Sequence, residues 1–114
     1  MGEKYSSKPL VFDGQDFVIW KARMEAYLQS LGHNVWNKVK TPYTMPEDEQ
    51  ITADNMAQVD FNYRARNAIV AGLSTGEFNR VQHHMSAHGM WVVLCNFHEG
   101  NTDIQLVRQN QFQK

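Results

Sequence analysis

The stretch from Phe12 to Trp36, FDGQDFVIWKARMEAYLQSLGHNVW, constrains the fold more than any other part of the chain. Asp13-Gly14 is a turn signal, and from Gln15 or Asp16 onward the apolar residues fall at helical spacing. Phe17, Trp20, Met24, Tyr27, Leu28 and Leu31 form one stripe, so the helix they define must lie against other elements. Lys21, Arg23, Glu25 and Gln29 occupy the other faces, and Ala22 and Ala26 permit a close neighbour. Gly32 stands where a left-handed C-cap commonly ends a helix. A second, shorter helix is expected over about 34–40, carrying Val35, Trp36 and Val39, with Lys38 and Lys40 near its C-terminal carbonyls.

The rest of the chain repeats the helical period and never alternates with period two. Residues 1–8 read as a polar arm, and Pro9, Leu10, Val11 and Phe12 as an extended lead-in across the base of the first helix. TPYTMPEDEQ, with two prolines and the acids Glu47, Asp48 and Glu49, is a connection. The longest helix is expected from Thr52 or Ala53 to Leu73, with Thr52 or Asp54 as its N-cap. Met56, Val59, Tyr63 and Val70 mark one of its stripes; Phe61, Ala65, Ala68, Ile69 and Gly72 mark another. Apolar residues on two faces predict a helix packed on both sides. Asp60 and Arg64 are spaced for a minor surface pair.

Ser74-Thr75-Gly76-Glu77 is a capping-box sequence, opening a short helix with Phe78 and Val81 inward. Ser86 caps a fifth helix bearing Met90, Trp91, Leu94, Cys95 and Phe97, closed by Gly100. A sixth, with Ile104, Val107 and Phe112, runs to the last residue and reads as one cut short. The expected class is all-α, a compact bundle of about five to six helices in a single domain over 1–114. A chain of 114 residues, 42% apolar, can bury the core that this requires.

Charge and composition narrow the function. A net charge of −1 argues against holding nucleic acid mainly by phosphate neutralisation. One cysteine, Cys95, permits no intrachain disulfide and suits a reducing compartment. No apolar run spans a bilayer, and Met1-Gly2 with Ser6 is a chance match to a myristoylation pattern, so no membrane partner and a cytoplasmic location are expected.

Candidate chemistry is sparse. His84 and His88 are spaced i, i+4, and Cys95 and His98 i, i+3, but a zinc site wants four ligands at paired spacings. His83, His84 and His88 fall at a helix–helix junction, and Cys95 lies in an apolar run. No phosphate-binding, dinucleotide or nucleophile-elbow motif occurs. No enzyme, cofactor or metal is expected. Lys21, Arg23 and Glu25 on the first helix, with Arg64 and Arg66 on the third, are the candidate interaction surface.

The ordered landmarks resemble the N-terminal part of Gag polypeptides of plant copia-type LTR retrotransposons. They are Trp20, Met24, Leu31-Gly32, Trp36, Asn67-Ala68-Ile69, Gly72-Leu73-Ser74, Phe78, Val81, Trp91, Leu94 and Glu99-Gly100. The likeness covers roughly residues 9–100. It implies a capsid-like helical domain without catalytic residues that makes protein–protein contacts, with itself or with another Gag-like or viral protein. The CCHC zinc knuckle of a full Gag is missing, which leaves nucleic acid only a weak partner. The competing expectations are a domesticated host factor that binds and disturbs a viral or transposon protein, and a weak RNA-binding module.

Overall fold

The computed structural model describes residues 10–100. The expected arm over 1–8 and the expected sixth helix lie outside the described residues. Within them the chain is all-α: α1 (Phe17–Ser30), α2 (His33–Lys40), α3 (Met56–Ala71), α4 (Thr75–Val81) and α5 (Ala87–Cys95). A 3-10 turn at Asp48–Gln50 and a π turn at Asn96–Gly100 complete it, and no strand forms among the described residues.

The stripe of α1 is buried as the spacing predicts, through Phe17, Trp20, Met24 and Leu28. Leu31 is the exception: α1 ends at Ser30, and Leu31 is left exposed. Gly32 does take a positive φ of 117°, but its ψ of 153° is extended rather than left-handed helical. It therefore links two helices directly, its carbonyl accepting from Trp36 N at 3.1 Å to start α2. α2 is as central as the long helix, since it packs on α1, α3 and α5. Val35 and Val39 are fully enclosed, and Lys38 buries its stem while its ammonium sits 4.4 Å over the Tyr43 ring.

α3 is the longest helix and packs on α2, α5 and α1, but it starts later than expected. Its N-cap is Asn55, not Thr52 or Asp54. The Asn55 side chain accepts from Thr52 N at 2.8 Å and donates to Gln50 O at 3.0 Å, so it closes the preceding turn. The predicted Met56 and Tyr63 stripe is also revised, because both are exposed, whereas Asn62 is completely buried. Hydrogen bonds hold Asn62 there: Oδ1 accepts from Ala87 N at 2.8 Å and Nδ2 donates to Met85 O at 2.9 Å. Asp60 and Arg64 are exposed, and no ion pair joins them among the described residues.

The lead-in is tied to the α3–α4 turn. Phe12 N donates to Gly72 O at 2.8 Å, and Ser74 N donates to Phe12 O at 2.9 Å. The Phe12 ring then stacks on Trp20 with centroids 5.0 Å apart, and Trp20 reaches Trp91 at 5.8 Å. This bond alters the capping box. Ser74 Oγ does accept from Glu77 N, at 3.4 Å, but Ser74 N is already engaged by Phe12. The Glu77 carboxylate accordingly turns to His98 Nε2 at 2.9 Å and Arg80 Nε at 3.5 Å. The Ser86 cap forms as expected, accepting from Gly89 N at 2.9 Å.

Candidate protein-docking face

The first turn of α1 is apolar on its outward side, where it would ordinarily be polar. Val18 and Ile19 follow Phe17 directly and point away from the stripe, and they are 72% and 59% exposed. Leu10 and Val11, which line a groove with Ile19 next to the Phe12 bridge, are 79% and 57% exposed. Singly exposed apolar residues are ordinary, but four large ones gathered at one end of a helix are not.

Ile19 lines two depressions, and Val18 the second of them. The first, a groove of about 260 Å³, is bounded by Leu10, Val11, Ile19 and Trp20, with Asp13, Asp16 and Arg23 at its edge. The second, a cleft of about 590 Å³, is bounded by Gly14, Phe17, Val18, Ile19, His98 and Glu99. The local backbone fixes it: Gly14 has φ 108°, Asp16 sits at φ 59°, and Asp13 Oδ1 accepts from Gln15 N at 3.2 Å. Positive φ suits glycine and is tolerated by aspartate.

The residues expected to form an interaction surface are dispersed. Arg23 is exposed and lies on the groove edge. Lys21 is bound by Glu99, with Nζ 3.0 and 3.1 Å from its two carboxylate oxygens. Burial disfavours the Lys21 ammonium, but the bond to Glu99 and the charges of Cys95, Glu99 and Glu25 outweigh it and raise its pKa. Glu25 is half-buried. Arg64 lies on α3 beside Tyr27, Leu31 and Asn67. Arg66 closes the end of α4 internally, donating to His84 O and Gln82 O, each at 2.9 Å. Val18 and Ile19 were legible only as apolar residues off the stripe.

One histidine of each candidate pair is engaged elsewhere. His88 Nδ1 is 2.7 Å from Val39 O, and His98 is bonded to Glu77 and ringed by Phe12, Phe17 and Phe97. Among the described residues no group of three or more His, Cys, Asp or Glu is arranged to hold a metal. Burial pushes the Cys95 thiol pKa up; the Lys21 charge lowers it, while Glu99 and Glu25 add to the rise. A thiol so held is the protonated, weakly nucleophilic form. Cys95 should therefore react with iodoacetamide several-fold more slowly in the folded protein than in urea at about pH 8.5. Equal rates, followed by mass spectrometry, would contradict the burial of this thiol.

Comparisons with protein-family models, with curated proteins and with solved structures find no match. Among the described residues no helix is long and apolar enough to cross a membrane.

Proposed function

We propose that the chain is a non-enzymatic protein–protein interaction domain of the retrotransposon Gag capsid type, acting by self-association through the Val18–Ile19 patch. The observation that carries this reading is the exposed cluster of Leu10, Val11, Val18 and Ile19. Its edge bears acids, Asp13 and Asp16, and a base, Arg23. A patch with both charges is self-complementary under a two-fold axis, because Arg23 of one copy meets an aspartate of the other. The ordered tryptophan and glycine landmarks support the Gag-like assignment, and the helical bundle is compatible with it. A domesticated host factor would use the same patch against a different protein. Arg66, bonded within the fold, takes away half of the Arg64/Arg66 pair on which RNA binding depended.

Light scattering across a concentration series tests the reading. The wild-type chain should pass from monomer to dimer or higher species as concentration rises. Ile19→Glu should remain monomeric, because a carboxylate in a buried contact costs about 2 kcal/mol or more, roughly thirtyfold in affinity. Its melting temperature should not fall, since Ile19 already faces water. A wild-type chain that stays monomeric throughout would end the self-association reading.

A further inference from the structure

A groove of about 500 Å³ shares no lining residue with the α1 patch. Its floor and walls come from Tyr43, Met45 and Pro46 of the α2–α3 connection, Tyr63 of α3, and Met85 of the α4–α5 junction. Tyr63 and Met85 are 43% and 52% exposed, so much of their apolar surface is open to solvent.

The groove is formed in advance of any ligand. The Lys38 ammonium packs on the Tyr43 ring, 4.4 Å from its centroid. Asn62 Nδ2 lies 3.8 Å from Met45 Sδ and donates to Met85 O at 2.9 Å, tying both methionine walls to one buried side chain. The connection itself turns sharply, with Gln50 N donating to Glu47 O at 2.8 Å and Glu47 N to Gln50 Oε1 at 3.2 Å. A cavity held this way needs little ordering on binding. Burial and the neighbouring Tyr63 raise the Tyr43 phenol pKa, which keeps that phenol neutral and able to donate.

Charge decides what fits. Glu47, Asp48 and Glu49 line one edge, and among the described lining residues none is basic. Lys38, a cation that does not line this groove, is engaged by the Tyr43 ring. Flexible methionine surface accommodates varied apolar side chains, tyrosine faces attract cations, and an acidic edge selects positive charge. We infer that this groove binds a basic amphipathic segment of a partner protein. Its apolar side chains pack on Met45, Met85 and the tyrosines, while its lysines or arginines face Asp48 and Glu49. Nucleic acid or an acidic peptide would meet like charge there.

Fluorescence anisotropy with a labelled amphipathic lysine–leucine peptide tests this, with a glutamate–leucine peptide and oligolysine as comparisons. The lysine–leucine peptide should bind in roughly the micromolar range and weaken as salt is raised. The paired changes Asp48→Lys and Glu49→Lys should weaken it at least about tenfold; both side chains are exposed, so folding is retained. Glu47 is left intact because it holds the turn. Tyr63→Ala should weaken binding several-fold, and Ile19→Glu should leave it unchanged, which separates this groove from the α1 patch. Equal binding of the glutamate–leucine peptide or of oligolysine would overturn the inference, as would unaltered affinity in the Asp48/Glu49 variant or loss of binding in Ile19→Glu.

Discussion

Trp20→Ala is expected to lower the stability of the protein severely, by a large fraction of the total. Trp20 is 5% exposed and joins α1 to the lead-in and to the distant α5. Its ring stacks on Phe12 at 5.0 Å, tilts against Phe17 at 5.8 Å and meets Trp91 at 5.8 Å. Removing a buried large aromatic costs about 3–5 kcal/mol, against total stabilities of roughly 5–15 kcal/mol. Here the cost should lie at the upper end, because the indole is the ring that bridges Phe12 and Trp91 and its loss opens a cavity between them. Trp20→Phe distinguishes packing from polarity. Among the described residues the Trp20 Nε1 is buried without a hydrogen-bond partner, so phenylalanine removes an unsatisfied donor while keeping most of the stacking. That variant should lose well under half of what alanine loses in a urea titration. Equal losses would mean that the indole nitrogen matters in a way its geometry does not reveal.

The parts of the fold that were legible share one property: local spacing decides them. The α1 stripe of Phe17, Trp20, Met24 and Leu28 is buried because any core-facing helix buries one period of its residues. Ser86 caps α5 because the amide it bonds is three residues away. What was misread depends on partners far along the chain. Ser74 and Glu77 have the spacing of a reciprocal capping box, yet the distant Phe12 occupies the Ser74 amide and frees the carboxylate for His98. Met56 and Tyr63 fit a stripe by spacing, but both stay exposed on α3, and a polar residue, Asn62, faces the core. The candidate patch shows the same limit. Val18 and Ile19 are visibly apolar, but whether they are core or surface depends on what packs over α1. No periodicity carries that information.

Asn62 gives the second large expected effect, and its size depends on pH in one variant. Asn62→Ala deletes an acceptor from Ala87 N and a donor to Met85 O, bonds that span 25 and 23 residues. Each stranded backbone group costs about 1–3 kcal/mol, so a loss of roughly 2–6 kcal/mol follows. Asn62→Asp is the more informative change. The ionised carboxylate can accept from Ala87 N, but it cannot donate, and it would be buried facing the Met85 carbonyl oxygen. The protonated acid has one donor and one acceptor and reproduces both bonds. Burial and that opposing carbonyl therefore raise the folded-state pKa above the unfolded value of about 3.9. A raised pKa means that the folded state binds the proton more tightly. The variant's stability is then greatest below about pH 4, falls as pH rises past the unfolded pKa, and levels off above the folded one. Measured against wild type at each pH, the deficit in urea midpoint should be small near about pH 4 and several-fold larger near about pH 7. A constant deficit would show that the introduced carboxylate had found water, and that the α3–α5 junction is looser than the two hydrogen bonds of Asn62 require. A deficit that grows with pH would locate the keystone of that junction in a single polar side chain.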